Sequence, residues 1–148
     1  MSSGKIILLI EDNPSDVELT ERAFKKSRIG NRLVVAGDGE AALQYLWGTG
    51  VYEGRDVTDL PAVALLDLNL PKIPGLEVLR QVRADPRTRR LPIVILSSSR
   101  DDPDIAAGYD LGANSYIQKP VDFKQFATCI EQLGLYWLIL NEQPPKPI

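Results

Sequence analysis

With 148 residues, 44% of them hydrophobic, and a net charge of -3, the chain is sized for one domain with a proper core, and it has no basic excess that would call for nucleic acid. It has no histidine and a single cysteine, Cys129. That excludes a phosphohistidine, a Ser-His-Asp triad, a disulfide frame and the common zinc sites, so any histidine chemistry must come from a partner.

In chain order, the apolar run KIILLI meets the acids Glu11 and Asp12, which reads as a buried parallel strand surfacing at its carboxyl end. The run is too short for a signal peptide and is followed by acids, so a cytoplasmic protein is expected. A helix should follow Asn13 and Pro14, with Ser15 and Glu18 in capping-box spacing, and reach about Lys26. Leu33 to Ala36 forms a second strand. Asp38 and Gly39 then open a short helix carrying Ala42, Leu43 and Leu46. Residues 48–61 hold glycines and acids without periodicity, a long loop that is either a flexible insertion or a partner-contacting element.

The run AVALL ends at Asp67, and after NLPKIPG a helix should bury Leu76, Leu79 and Val82. Arg80, Arg83, Arg87, Arg89 and Arg90 gather around Asp85 and Pro86. A solvated helix end accounts for them, with a docking patch for an acidic partner as the weaker alternative. Leu91 to Leu96 is a fourth strand ending at Ser97, Ser98 and Ser99. A helix from Asp102 to Leu111 should stop at Gly112, and SYIQ then runs into Lys119 and Pro120. Phe123, Phe126, Ala127 and Ile130 mark one face of a fifth helix, which Gly134 either ends or merely interrupts. The following LYWLIL is more apolar than one face can hide.

Strands alternating with helices predict a parallel sheet covered on both faces, in a single domain over 1–148 with an extension from about 134. If the first, third and fifth strands are neighbours, Glu11, Asp12 and Asp67 converge with Lys119 at one sheet edge. Two carboxylates about 4 Å apart repel by about 4 kcal/mol at an effective dielectric near 20. Such a cluster either retains a proton or needs a hard cation, and oxygen ligands without nitrogen or sulfur suit Mg²⁺.

These features in this order resemble the receiver domain of two-component response regulators, over about residues 5 to 133. The resemblance implies a flavodoxin-like (βα)5 sheet of strand order 2-1-3-4-5. It makes Asp67 the acceptor of a phosphoryl group from a histidine kinase, with Glu11, Asp12, Asp67 and the backbone carbonyl of Asn69 holding Mg²⁺. Lys119 covers the phosphoryl group, Ser97 is the switch hydroxyl where many receivers have threonine, and Tyr116 is either the aromatic switch or a tyrosine half-packed on its strand. Pro74 stands where an acidic residue is frequent, and the bond between Lys119 and Pro120 matches the family's cis peptide. The long loop, the wording LLDLNLPK and the aromatic tail look most like small stand-alone regulators paired with bacterial phytochromes, which implies a sensor kinase of that type as partner.

Three rival classes fit the residues less well. A flavodoxin-like cofactor binder needs backbone donors where EDNPSD presents carboxylates. An Mg²⁺-dependent aspartate-nucleophile phosphohydrolase resembles a pattern with a second aspartate two residues after the nucleophile, where this chain has Asn69. A binding module that is never phosphorylated would not need the transfer residues. The reading is therefore a phosphoacceptor signalling protein rather than an enzyme, with no room for an output domain after the fifth helix, so that its signal leaves through protein contacts. Tyr136, Trp137, Leu138 and Leu140 are expected to form an apolar patch that builds a homodimer, the alternative being a tail that folds back over its own domain, with a disordered end from Pro144.

Overall fold

The five apolar runs form one parallel sheet in the order β2-β1-β3-β4-β5. The strands are β1 (Ile6–Ile10), β2 (Arg32–Ala36), β3 (Val63–Leu66), β4 (Ile93–Ser97) and β5 (Ser115–Gln118). The structure is a computed structural model that describes residues 5–27, 32–120 and 122–145. β1 sits between β2 and β3, with Ile7 opposite both Leu33 and Val63, while Leu65 faces Val94 and Ile95 faces Tyr116.

Five helices alternate with the strands: α1 (Pro14–Ser27), α2 (Gly39–Trp47), α3 (Gly75–Ala84), α4 (Asp102–Asp110) and α5 (Phe123–Gly134). Successive side chains of a strand point to opposite faces, so the continuous apolar strands feed two cores at once. Ile7, Leu9, Leu65, Val94 and Leu96 pack with Ala23 and Phe24 of α1 and with Phe126 and Ile130 of α5. Leu8, Ile10, Leu66, Ile93 and Ile95 pack with Leu43 and Leu46 of α2 and with Val78, Leu79 and Val82 of α3. α4 buries only Gly108 and leaves Tyr109 exposed, and Gly112 (φ 101°) ends its turn in the left-handed region as expected.

Several local expectations change. α1 is capped by Asn13, whose Oδ1 accepts from the backbone N–H of Ser15 (2.9 Å) and Asp16 (3.3 Å), and not through a Ser15–Glu18 box. Pro14 at the first helical position makes the residue before it the cap. In α3 the buried face is Val78, Leu79 and Val82, with Leu76 only half-buried on its shoulder. No described peptide bond is cis, Lys119–Pro120 included; trans remains the preferred isomer of an X–Pro bond by about 0.5–1 kcal/mol.

Residues 48–61 are tied down rather than free. Arg55 donates to the carbonyls of Tyr45 (2.6 Å), Leu46 (3.2 Å) and Asp59 (2.9 Å), and its guanidinium lies 4.2 Å from the Tyr45 ring centroid. Those acceptors at Tyr45 and Leu46 are carbonyls of the last turn of α2, which the helix cannot satisfy itself.

Gly134 does not stop α5. It keeps helical angles, and the chain widens into a helical segment over Leu135–Leu140. Leu138 turns into the core, Trp137 packs half-buried beside it, and the Lys5 ammonium donates to the Leu138 carbonyl. The exposed apolar set is therefore Leu135, Tyr136, Ile139 and Leu140, not the expected one that included Trp137 and Leu138. Pro144 and Pro145 are described, and Gln143 donates to the Trp137 carbonyl (2.9 Å); residues 146–148 of the expected disordered end lie outside the described residues. No helix among the described residues is long and apolar enough to cross a membrane.

Candidate functional site

Each strand-end charge sits one or two residues beyond its strand, where the ladder continues. Glu11 N–H donates to the Ala36 carbonyl, Asp67 N–H to the Ile10 carbonyl and Lys119 N–H to the Ser97 carbonyl, at 3.0, 3.0 and 2.8 Å. These bonds fix the backbone of all three at one carboxyl edge of the sheet; β1 and β3 are neighbours as expected, but β5 is not, since β4 lies between β3 and β5 and Lys119 reaches back past it. α3 begins hard against the same edge: a Cβ on Gly75 would lie 2.4 Å from the Asp67 carbonyl oxygen, so only glycine permits this approach.

Ligand oxygens of Glu11, Asp12 and Asp67 all lie within 4.8 Å of one another. Glu11 and Asp67 are buried and Asp12 is exposed, which leaves the cluster open on one side. Lys119 Nζ is 2.5 Å from Glu11 Oε1, 2.8 Å from Asp16 Oδ2 and 3.7 Å from Asp67 Oδ2. Glu11 also accepts from the Asn13 N–H (3.2 Å). Burial pushes the Glu11 carboxyl up to about 7, with Lys119 pulling it back and Asp67 adding to the rise. For Lys119 burial acts downward, but its bonds to Asp16 and Glu11 outweigh it and the ammonium is held above its ordinary value. Three carboxylates, Glu11, Asp16 and Asp67, thus share one ammonium, and Asp12 adds a fourth acid beside them; a hard divalent ion among Glu11, Asp12 and Asp67 would neutralise the excess, and the all-oxygen donor set fits such an ion.

Asn69 lies beside the cluster, exposed, with its N–H 3.5 Å from Asp67 Oδ1. Ser97 is fully buried at the end of β4, and its Oγ accepts from the Ser99 N–H (3.2 Å). Tyr116 is half-buried, and its hydroxyl donates to the Ser99 carbonyl (3.1 Å). Ser97 and Tyr116 therefore hold the same residue, Ser99, from its two backbone groups.

Sequence reading missed Asp16. It stands in the first turn of α1, and that was the signal: a carboxylate at the start of the helix that begins right after the acidic pair. The basic cluster divides in the structure. Arg83 donates to the carbonyls of Gly112, Arg89 and Leu91 and to Asn114 Oδ1, while Arg80 and Arg87 pair with Glu77 and Asp85. None of the three belongs to the charged cluster at the sheet edge.

The model of the response regulator receiver domain matches residues 7–131. The chain belongs to the response regulator receiver domain family. Response regulator Rcp1 of Synechocystis sp. (strain ATCC 27184 / PCC 6803 / Kazusa) is 37% identical over 134 residues, 90% of this chain and 89% of that protein. The phosphorylated cyanobacterial phytochrome response regulator RcpA superposes with a TM-score of 0.89 at 36% identity, covering 97% of this chain and 100% of its own. The bacteriophytochrome response regulator AtBRR is 49% identical, with a TM-score of 0.75 over 95% of this chain and 99% of its own.

As a receiver, the protein takes a phosphoryl group from a histidine kinase onto an aspartate and signals through protein contacts. Receiver domains bind a divalent metal, and Rcp1 has been solved in an Mn²⁺-bound form. The flavodoxin-like order 2-1-3-4-5 of the sheet is that of the receiver fold.

Proposed function

We propose that Asp67 is the phosphoacceptor, with Glu11, Asp12, Asp67 and the Asn69 carbonyl holding Mg²⁺. The observation that supports this reading is the convergence of Asp67 with two further acids within 4.8 Å and with Lys119 Nζ at 3.7 Å. Phosphoryl transfer needs little covalent help from the protein; positioning and charge neutralisation supply most of the catalysis. Mg²⁺, when bound, neutralises oxygens of the acceptor and of the incoming phosphoryl group. Asp67 presents a carboxylate oxygen from a backbone fixed by its N–H bond to the Ile10 carbonyl, and Lys119 supplies an N–H on the other side.

Ser97 and Tyr116 form the switch. An aspartyl phosphate at Asp67 offers oxygens to the Ser97 hydroxyl, and a Ser97 hydroxyl that turns toward them gives up the Ser99 N–H. The Ser99 carbonyl is the acceptor of Tyr116, so the loop before α4 and the tyrosine on β5 respond together. α4, with one buried residue, is the helix least anchored by apolar burial and therefore free to follow.

The reading continues to a cytoplasmic signalling protein without catalytic turnover of other phosphoesters, partnered by a sensor histidine kinase of the bacteriophytochrome type. Its likeness to RcpA and AtBRR supports that partner. A homodimer through α5 and the exposed residues Leu135, Tyr136, Ile139 and Leu140 completes it. To test the site, wild type and Asp67→Ala are incubated with Mg²⁺ and acetyl phosphate and weighed intact. Wild type gains one phosphoryl group and Asp67→Ala none, and neither releases phosphate from p-nitrophenyl phosphate at a steady rate. Equal labelling of both proteins would overturn the acceptor; steady turnover would favour the phosphohydrolase.

A further inference from the structure

We infer that Asp16 is a positioning residue for phosphoryl transfer, setting the direction of the Lys119 ammonium; this rests on Asp67 being the acceptor. An ammonium group has three N–H donors in fixed tetrahedral directions. Two are engaged, with Glu11 Oε1 at 2.5 Å and Asp16 Oδ2 at 2.8 Å. The third carboxylate paired with it is that of Asp67, with Oδ2 at 3.7 Å, too far for a hydrogen bond. Two engaged donors fix the orientation of the third, which leaves it for the group that Asp67, the next carboxylate within 4 Å, would carry.

Asp16 is suited to that task because its own position is fixed. Its backbone N–H is held by the Asn13 cap (3.3 Å) and its carbonyl accepts from the Thr20 hydroxyl (2.8 Å). Both are bonds of the first turns of α1, which follows β1 and its acids directly. Glu11 alone could not do the same work. It lies in the metal cluster, and a carboxylate drawn toward a cation has less to offer the lysine. Asp16 stands outside that cluster of Glu11, Asp12 and Asp67, so its hold on Lys119 persists when the cluster is filled.

In the step itself a carboxylate oxygen of Asp67 forms a bond to phosphorus as the bond from phosphorus to the donor oxygen breaks. With acetyl phosphate the electron pair leaves with acetate, and no proton is taken from Asp67. The developing charge on the equatorial oxygens is met by the third N–H of Lys119. Misdirecting that donor by an ångström slows the step without weakening the fold.

The test times labelling of the full chain by acetyl phosphate in saturating Mg²⁺, by intact mass, for wild type, Asp16→Ala, Asp16→Asn and each change combined with Lys119→Met. Asp16→Ala should slow labelling about tenfold, and Asp16→Asn, which keeps an acceptor oxygen, should recover most of it. In the Lys119→Met background Asp16→Ala should have no further effect, because the group it positions is gone. A wild-type rate in Asp16→Ala, equal rates for the alanine and asparagine variants, or the same fold loss with and without Lys119 would each overturn the proposal. Should Lys119→Met label too slowly to time, the asparagine recovery decides alone. Labelling of Asp67→Ala at the wild-type level would instead overturn the acceptor, whatever the Asp16 variants do.

Discussion

Glu11 is only 3% exposed, and its carboxyl is pushed up to about 7 from an ordinary 4.5, chiefly by burial. A carboxyl that holds its proton more tightly in the fold than in the unfolded chain stabilises the fold below the unfolded value. That contribution disappears as pH climbs from about 4.5 to about 7 and amounts to roughly 3 kcal/mol. The comparison with Glu11→Gln isolates the effect. In EDTA, the stability of wild type relative to Glu11→Gln should fall between pH 4.5 and 7.5, and Mg²⁺ should reduce the fall by favouring the ionised form. A difference in melting temperature that does not change with pH would contradict it. Glu11, Asp12 and Asp67 were legible from the sequence because each ends an apolar run. Asp16 was not, because a first-turn aspartate usually serves only the helix dipole.

At the scale of elements, the stretch 48–61 shows how one side chain orders a loop. Nothing in its composition marks Arg55, yet it donates to the carbonyls of Tyr45, Leu46 and Asp59. Tyr52 packs edge-on against Tyr45 at 5.0 Å, while Val51 at the tip is 86% exposed. Arg55→Ala should cost about 1–3 kcal/mol, the scale of leaving such acceptors without a partner. Amide exchange across residues 48–61 should speed up while the rate of phosphorylation stays at the wild-type level. Unaltered exchange would show that the loop is held by other contacts. The strands and helices themselves were legible to within a few residues, since two-faced burial demands continuous apolar strands and one-sided helices. The start of α1 was misread for a local reason: Asn13 and Ser15 can both cap, and Pro14 decides between them.

At the scale of the molecule, the tail is divided between the core and the surface. Leu138 is buried and Trp137 half-buried, but Ile139 is 58% and Leu140 64% exposed, next to exposed Leu135 and Tyr136. Truncation at Gly134 would therefore strip Leu138 from the core and could not test association cleanly. Replacing Ile139 and Leu140 by lysine leaves Leu138 in place. Wild type should sediment as a dimer at tens of micromolar, well above a Kd near 1 µM (about 8 kcal/mol), and the double variant as a monomer with a similar melting temperature. A monomeric wild type at that concentration would remove the homodimer from the proposed function.

The order of the elements, the parallel sheet, the acidic pair and Asp67 could be read from the chain alone, because each rests on residues within one turn or strand of one another. Charge at the end of an apolar run is a local pattern with one physical meaning at a sheet edge. What the tertiary structure decided lies between distant residues. Asp16 and Lys119 are 103 positions apart and meet only because β5 lies beyond β3 and β4 while α1 starts at the end of β1. The division of LYWLIL into buried and exposed residues likewise depends on the turn of the backbone after Gly134. A hydrophobic run states how much surface must be covered; the path of the helix decides which residues the core can reach.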